Sequence, residues 1–328
     1  MKVIVTIPVT EAQKQQLQNS AVGAELFFVP GGWFRSEAEK KLLSEAEVIL
    51  GNVKLPGQLK EAKALKWLQL NNAGTEGYCE EGVLPENVLL TNATGAYGLA
   101  ISEHMIGCLL MLNKKLHLYY QNQLQESWKS EGNVTAIEGS TVLSIGMGDI
   151  GGTFLKKMKA LGAYTIGIKR SASEKPSFVD EQYTAEEFVG MEQALLSRAD
   201  TVALSLPGNQ ETKRLFDERR LSCLKKSAVF LNVGRGSAVD TEVLCRMLYE
   251  GRLSGAALDV TDPEPLPEGH PLWKAPNCII TPHISGHFFL PETLSRIVHI
   301  CAENLQRYQK GEALKNQVDR GLGYARFL

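Results

Sequence analysis

Two histidines, His283 and His287, lie four positions apart in the segment TPHISGH near the end of the chain. On one face of a helix this spacing can hold a metal ion, but Pro282 and Gly286 disfavour a continuous helix here. We therefore predict no metal site. The two remaining roles for the first histidine are a structural one at a strand end and proton transfer near neutral pH.

A glycine-rich turn, GMGDIG, directly follows the strand-like segment TVLSI and opens the helix-like segment GTFLKKMKAL. Glycines here permit a tight turn and let the backbone approach a pyrophosphate, whose oxygens bind the N–H groups at the helix start. The motif therefore predicts a dinucleotide site, with an ordinary glycine-rich turn as the alternative. The residues predicted to contact the cofactor are Gly146, Gly148, Asp149, Ile150 and Gly151.

The next strand-like segment, AYTIGI, ends in Lys169, Arg170 and Ser171. An NAD-binding site usually presents an acidic residue to the ribose 2′-hydroxyl at this point. Two cations and a hydroxyl suit a 2′-phosphate instead, so the sequence favours NADPH, with NADH as the second choice. The alternative is a solvated basic loop that plays no part in cofactor selection.

Composition limits the kinds of partner. The chain has 328 residues, 44% of them hydrophobic, which suits about two globular domains. Its 35 Lys and Arg residues nearly balance its 37 Asp and Glu residues, without long runs of one sign. Nucleic acid and anionic membranes bind strongly basic surfaces, so neither partner is expected.

The location is predicted from apolar runs and cysteines. The apolar run MIGCLLML ends at Asn113, followed by two lysines, and is too short to cross a membrane. The N-terminal VIVTIPV lacks the length and cleavage site of a secretory signal. Six cysteines without a C-x-x-C pair suit reduced thiols. We therefore expect a cytoplasmic protein.

Strand-like and helix-like segments alternate along the chain, which is typical of an α/β protein with parallel sheets. The first strand-like group is KVIVTIPV, EVILGN and LKWLQLNN. After a helix-like stretch from about Ile101 to Leu118, six more follow: TVLSIG, YTIGIK, TVALSLP, AVFLNVG, GAALDV and CIITPH. From Pro291 onward, the spacing of the apolar residues predicts one amphipathic helix.

The motifs together resemble the D-isomer-specific 2-hydroxyacid dehydrogenase family, particularly its glyoxylate and hydroxypyruvate reductase-like members. The resemblance covers nearly the whole chain, through LQLNNAG, GMGDIG, LNVGRGSAVD, GAALDVTDPEPLP, ITPHISG and NQVDRGLGY. It implies two Rossmann-like, doubly wound parallel-sheet lobes, with the nucleotide lobe inserted into the substrate lobe. Residues 1–100 and 287–328 would then form the substrate (catalytic) domain, and residues 101–286 the dinucleotide-binding domain.

The resemblance assigns Arg235, Glu264 and His283 as catalytic residues. When a 2-oxo acid receives a hydride, its carbonyl oxygen needs a proton donor, and this role falls to His283. Glu264 would fix the tautomer of the imidazole and favour its charged form, while Arg235 would pair with the substrate carboxylate and polarise the carbonyl. Taken singly, each has a structural alternative: a strand-end histidine, a turn cation and a solvated acidic loop.

The resemblance also implies further contacts. Ala73 and Gly74 match the loop whose backbone N–H groups bind the substrate carboxylate, with an ordinary strand-to-helix turn as the alternative. Asp259 matches the residue that holds the nicotinamide carboxamide. Pro207 and Val233 match positions that line the cofactor site.

Two other segments have roles implied by the resemblance, which assigns none to His287. His104 matches the start of the helix that joins the lobes, which favours a structural role. The segment from about Leu118 to Trp128 matches an arm that packs on a second subunit, so a homodimer is expected. For His287, substrate contact and a surface position at a hinge both stay open.

The sequence departs from the family pattern in two places. Lys169 replaces a common acidic residue, and the bulky Phe288 and Phe289 stand where small polar residues are frequent. The expected function is reduction of a small 2-oxo acid, such as glyoxylate or hydroxypyruvate, to the D-2-hydroxy acid with NADPH. The alternatives are a nucleotide-sensing, corepressor-like interaction protein of the same fold and a short phosphoglycerate dehydrogenase.

Overall fold

The structure, a computed structural model, describes residues 1–325 and divides into two compact units. Unit 1 comprises Met1–Tyr97 and the tail that starts at Phe288, and unit 2 comprises Gly98–His287. Unit 1 is therefore built from two stretches of chain that flank unit 2 in sequence. The assignment of substrate to one unit and nucleotide to the other stays a prediction at this point.

The first stretch of unit 1 alternates strands with helices. Its elements are β1 (Lys2–Val5), α1 (Glu11–Ser20), β2 (Glu25–Phe28), α2 (Glu37–Glu45), β3 (Val48–Leu50), β4 (Trp67–Gln69) and β5 (Leu89–Thr91). The strands pair in parallel in the order β2-β1-β3-β4-β5. Because helices cover a doubly wound sheet, the central strands are apolar on both faces, and Ile4, Ile49 and Leu68 are fully buried.

Unit 2 contains a larger sheet of the same kind. Its elements are α3 (Gly98–Asn113), α4 (Leu116–Leu124), β6 (Thr141–Ile145), α5 (Asp149–Ala160), β7 (Tyr164–Lys169), β8 (Glu181–Thr184), α6 (Ala185–Leu196), β9 (Thr201–Leu204), α7 (Glu218–Leu221), β10 (Val229–Asn232), α8 (Thr241–Tyr249), β11 (Gly255–Leu258) and β12 (Cys278–Ile280). The sheet has seven strands in the order β12-β11-β10-β9-β6-β7-β8, all parallel. The order reverses between β6 and β9, where doubly wound sheets bind ligands.

The tail returns to unit 1. It forms α9 (Pro291–Gln309) and a short hairpin of β13 (Val318–Asp319) and β14 (Tyr324–Ala325). The helix packs against α1 and buries Ile297, Cys301 and Leu305 on one face. The predicted amphipathic helix from Pro291 is therefore confirmed.

The fold class of two α/β units with parallel sheets is confirmed. In unit 1 the strands β2 and β5 were missed, and in unit 2 two local predictions were wrong. The stretch from Ile101 to Leu118 is not one helix, because Lys115 adopts a left-handed conformation (φ 56°) and separates α3 from α4. The second sheet has seven strands rather than six, since β8 was missed. In residues 1–325, no helix is long and apolar enough to span a bilayer.

Candidate active site

The carboxyl ends of the strands in unit 2 carry most of the predicted site residues. The glycine turn follows β6, Lys169 ends β7, Pro207 follows β9, Arg235 follows β10, Glu264 follows β11 and His283 follows β12. Because all these strands are parallel, their carboxyl ends meet at one edge of the sheet, the edge at which doubly wound folds bind nucleotides. The topology alone therefore brings these residues to one edge.

The glycine turn fits a dinucleotide because of three different local geometries. Gly146 has φ 93°, a conformation that side chains disfavour. A Cβ on Gly151 would lie 1.9 Å from the Gly146 carbonyl oxygen, so only glycine lets α5 pack this closely on β6. Around Gly148 no atom lies within 4 Å of a Cβ position, which leaves room for a ligand. Gly148 is the N-cap of α5 and makes no side-chain bond to the helix start, where N–H groups are suited to bind phosphate.

Asp149, predicted to contact the cofactor, also has an internal partner. Its Oδ2 accepts a hydrogen bond from the Gly98 N–H at 2.7 Å, at the first turn of α3. A Cβ on Gly98 would lie 2.4 Å from the other carboxylate oxygen. This hydrogen bond connects α3 to α5. In the sequence, the sign of this contact is the glycine at position 98, where a side chain would not fit. The cofactor contacts of Asp149 and Ile150 stay predictions.

The basic residues at the end of β7 lie in a polar surface region. The Lys169 ammonium donates to the Ser173 hydroxyl at 2.9 Å. Arg170 Nη2 lies 3.9 Å from Glu211 Oε2, and both side chains are at least half exposed. Ser171 is exposed beside them. An anion here would therefore meet two cations, with one carboxylate as a competitor for Arg170.

Arg235 lies between two glycines that allow backbone contact with neighbouring loops. A Cβ on Gly234 would lie 2.6 Å from the Leu206 nitrogen in the loop after β9. A Cβ on Gly236 would lie 1.9 Å from the Thr261 oxygen in the loop after β11. Only hydrogen fits at either position, so the loop of Arg235 is held on both sides. The sequence motif NVGRG did not show that its two glycines are required by these close backbone contacts.

Asn232, at the end of β10, also holds this loop. Its side-chain amide donates to the Arg235 carbonyl at 3.0 Å, and its Oδ1 accepts from the Gly234 N–H at 3.1 Å. The Arg235 Nη1 donates to the Gly234 carbonyl at 2.7 Å. The guanidinium is therefore presented by a loop whose backbone is fixed, a requirement for positioning a substrate group.

Glu264 and His283 form a hydrogen-bonded pair. Their Oε1 and Nδ1 atoms are 2.6 Å apart, although the residues are 19 positions apart in sequence. The side chains are 41% and 47% exposed, so the ring is accessible while one of its nitrogens is engaged. A carboxylate on Nδ1 fixes the ring and leaves Nε2 as the nitrogen that can exchange a proton with a bound molecule.

Asp259 holds the loop on which His283 stands. Its Oδ1 accepts from the Thr281 hydroxyl (2.6 Å) and the Ile284 N–H (3.0 Å), while its Oδ2 accepts from the N–H (3.1 Å) and hydroxyl (2.5 Å) of Ser285. Burial raises the pKa of this carboxyl, but the hydrogen bonds from Ser285 and Thr281 outweigh burial and hold the pKa below its usual range. Asp259 is therefore a charged, buried anchor.

The backbone of His283 shows why the loop needs an anchor. His283 has φ 52°, a conformation that costs free energy for any residue other than glycine. Its N–H donates to the Asp259 carbonyl at 2.8 Å. The Asp259 backbone and side chain together thus stabilise a strained histidine. The predicted contact of Asp259 with the nicotinamide carboxamide stays a prediction, and this anchoring role was missed.

Pro207 and Val233 lie at the same edge in different surroundings. Pro207 is exposed, and its carbonyl accepts from the Thr212 hydroxyl at 2.7 Å. Val233 is buried, and its N–H donates to the Leu204 carbonyl at 3.1 Å. Their contacts with a cofactor stay predictions.

His283 and His287, whose spacing would suit a metal site on a helix, lie in a turn instead. In this turn the His287 N–H donates to the Ile284 carbonyl at 3.3 Å. Among residues 1–325, no group of three His, Cys, Asp or Glu side chains is placed to hold a metal ion.

In unit 1, three successive backbone carbonyls of the loop at residues 71–75 point towards the segment at residues 92–97. The donors are the Tyr97 hydroxyl, the Ala93 N–H (2.9 Å) and the Asn92 side-chain amide (2.7 Å), which bond the carbonyls of Asn71, Asn72 and Ala73 respectively. In a planar trans peptide the following N–H lies opposite the carbonyl. The N–H groups of residues 72–74 therefore face away from this segment, and successive N–H groups on one side can bind an anion.

Comparisons with known proteins show the family to which the chain belongs. The model of the NAD-binding domain of D-isomer-specific 2-hydroxyacid dehydrogenases matches residues 106–285. Glyoxylate reductase of Thermofilum pendens is 31% identical over 69% of this chain, a match that covers 66% of that protein.

Solved structures are also similar to this protein over nearly the whole chain. A D-isomer-specific 2-hydroxyacid dehydrogenase family protein from Aeromonas salmonicida has 29% identity and a TM-score of 0.83, covering 97% of this chain and 99% of that one. An NADPH-dependent glyoxylate/hydroxypyruvate reductase from Sinorhizobium meliloti, solved with NADP and sulfate, has 26% identity and a TM-score of 0.79, covering 98% and 99%. The chain therefore belongs to the D-isomer-specific 2-hydroxyacid dehydrogenases, a family of NAD(P)-dependent oxidoreductases.

Proposed function

We propose that this enzyme reduces a small 2-oxo acid, of the glyoxylate or hydroxypyruvate type, to the D-2-hydroxy acid with NADPH. The observation that carries the proposal is the 2.6 Å contact between Glu264 and His283, which leaves the second ring nitrogen for proton transfer. The glyoxylate reductase of Thermofilum pendens and the NADPH-dependent reductase of Sinorhizobium meliloti support the substrate class and the cofactor.

Each residue of the proposed set has one task. When bound, the reduced nicotinamide supplies the hydride that reaches the carbonyl carbon. His283 holds a proton on Nε2 and gives it to the carbonyl oxygen as negative charge develops there. Glu264 keeps the ring in the required tautomer through Nδ1, and Arg235 pairs with the substrate carboxylate and polarises the carbonyl. In the reverse direction His283 accepts the proton.

The loop at residues 71–75 is proposed to bind the substrate carboxylate through backbone N–H groups. The support is the orientation of its peptides, which the bonds from Asn92 and Ala93 fix. Backbone donors recognise a carboxylate irrespective of the group attached to it. The loop would therefore contribute to affinity for all 2-oxo acids rather than to choice among them.

The function is tested by following NADPH oxidation with a panel of 2-oxo acids that includes glyoxylate, hydroxypyruvate and pyruvate. Glycolaldehyde serves as the matched control, because it has a carbonyl but no carboxylate. We expect turnover with the small 2-oxo acids and a kcat/KM for glycolaldehyde lower by at least about tenfold, since charged hydrogen bonds are lost. No turnover with any 2-oxo acid would contradict the proposal.

The NADPH preference is proposed to depend on Lys169 and Arg170. In a double variant with alanine at both positions, the KM for NADPH should rise by about tenfold or more, because the 2′-phosphate loses two charge-assisted contacts. The KM for NADH, which lacks this phosphate, should change by less than about twofold. Lys226→Ala, at an exposed lysine before β10, is the control for a general loss of positive charge. Equal losses with both cofactors would remove these residues from selection.

The homodimer is proposed from the arm around α4. Tyr120 (55% exposed), Leu124 (63%) and Trp128 (104%) are apolar side chains on its surface. Exposed apolar residues that lie close together often mark a protein interface. Sedimentation velocity at micromolar concentration measures the oligomeric state, and a monomer there would overturn the dimer.

The cytoplasmic location stays a prediction from the apolar runs and cysteines of the sequence.

A further inference from the structure

His104, on α3, is connected by hydrogen bonds to the anchor of the His283 loop. Its Nε2 lies 3.2 Å from the Thr281 hydroxyl oxygen, and that hydroxyl lies 2.6 Å from Asp259 Oδ1. His104 is half buried, and α3 packs on β10 and β11. This contact joins two residues 177 positions apart, and with Asp259 the three residues come from α3 and from the loops after β11 and β12.

Counting protons assigns the direction of each bond. A hydroxyl carries one proton, and the short contact with a buried carboxylate requires that the Thr281 proton lies on the Asp259 side. The Thr281 oxygen can then only accept from His104, so His104 must carry its proton on Nε2. The remaining neighbour of Nε2 is Cys108, whose sulfur lies 3.6 Å away. Burial, with a smaller contribution from Asp259, raises the pKa of that thiol to about 11, so Cys108 is neutral and does not compete as an anion.

We propose that His104 is a positioning residue for the reaction, because its Nε2–H holds the Thr281 hydroxyl on Asp259 and thereby fixes the loop that presents His283. This inference rests on the proposed function and adds a residue to it.

The loop that carries His283 is held by hydrogen bonds rather than by close packing of the His283 side chain. The His283 ring is about half exposed, so close packing does not fix it. Its backbone is in a disfavoured conformation, which neighbouring bonds must stabilise. Thr281 lies two residues before His283, while Ile284 and Ser285 follow it. Asp259 therefore holds the loop both before and after His283 in sequence. Without the His104 donor, the Thr281 hydroxyl can turn to another acceptor. The side of the loop before His283 then loses its side-chain bond to Asp259 and keeps the backbone bonds to the carbonyls of Leu258 and Asp259.

A small cavity beside His104 does not offer another explanation. It is lined by His104, Met105, Cys108, Leu231, Val233, Ala257 and Asp259 and holds about 10 Å³. A water molecule needs at least about this much space, and a ligand needs far more. This cavity is therefore too small to hold a ligand.

The test compares His104→Leu, which removes the donor, with His104→Gln, whose side-chain N–H reaches about as far as Nε2. We expect His104→Leu to lower kcat by about tenfold or more, with the cofactor Kd unchanged within about twofold, and His104→Gln to recover most of this loss. Thr281→Val should lower kcat similarly. The double variant of His104→Leu and Thr281→Val should be no slower than Thr281→Val alone, because both act through one bond.

A second measurement does not depend on activity. Hydrogen exchange of the backbone N–H groups of residues 283–285 should be faster by about tenfold in the cofactor-free His104→Leu protein and unchanged in His104→Gln. Equal kcat in His104→Leu and wild type, additive losses in the double variant, or unchanged exchange would overturn the positioning role. A lower Tm without these effects would make His104 an ordinary packing residue. A wild type that reduces no 2-oxo acid would overturn the proposed function instead, and the exchange result would still decide on the role of His104 in the loop.

Discussion

Replacing His283 by alanine is expected to lower kcat for 2-oxo acid reduction by about 10²- to 10⁴-fold, the contribution of a well-placed general acid. The imidazole acts on the reacting oxygen, so the Kd for NADPH should change by less than about threefold. Steady-state kinetics with glyoxylate and cofactor titration by fluorescence measure the two quantities. An interaction made only in the transition state lowers kcat and kcat/KM together, and this pattern is expected here.

His270 provides a matched control within unit 2. It too is a histidine beside a carboxylate, with Nε2 at 3.3 Å from Glu242 Oε1, but it lies outside the set proposed to touch substrate. Its Nδ1 accepts from the Leu272 N–H, so His270→Ala should lower Tm while kcat stays within about twofold. A loss in kcat of less than about tenfold for His283→Ala, or an equal loss for both variants, would remove His283 from the proposed chemistry.

The second large effect is expected at Gly151, whose neighbour Gly152 is the control. A Cβ at position 151 would lie 1.9 Å from the Gly146 carbonyl oxygen and 2.7 Å from Ser144 Oγ, so the turn or the helix must move. Gly151→Ala should therefore lower the free energy of unfolding by about 1–3 kcal/mol and weaken NADPH binding by about tenfold or more. Urea denaturation and cofactor titration measure these changes.

Gly152 lies one position further along α5, and a Cβ there would have no atom within 4 Å. Gly152→Ala should stabilise the helix by about 0.5–1 kcal/mol, since glycine is disfavoured inside a helix, and leave cofactor affinity unchanged. Similar affinity losses for both variants would contradict the assignment of the close contact to Gly151.

The sequence predicted the interior of each sheet better than its edges. Central strands such as β6 and β10 are buried on both faces and therefore read as apolar runs. The three strands missed in the two parallel sheets, β2, β5 and β8, all lie at sheet edges. The edge strand β8 is EQYT, with all four residues half buried, so its sequence has no apolar run to recognise. The break at Lys115 was equally hidden, because left-handed backbone is uncommon for a residue other than glycine.

For the candidate site, the sequence predicted which residues follow which strands but not how their loops are held. Strand ends can be read from local patterns, whereas the bonds of Asp259 reach residues 22 to 26 positions away. Likewise, the glycines at 234 and 236 are needed because of atoms in other loops, near Leu206 and Thr261. Such contacts depend on the three-dimensional arrangement of successive loops, which one sequence does not contain.

Gly234 and Gly236, the two residues that flank Arg235, limit how the site can be engineered. A side chain at position 234 or 236 would collide with the main chain of a neighbouring loop. A substitution at either position would therefore displace the loop that carries the Arg235 guanidinium. A mutant library aimed at new substrates should leave this tripeptide untouched. Diversity is better placed in side chains that meet the part of the substrate beyond its acid and keto groups, where altered size and polarity can be accommodated without rebuilding the scaffold.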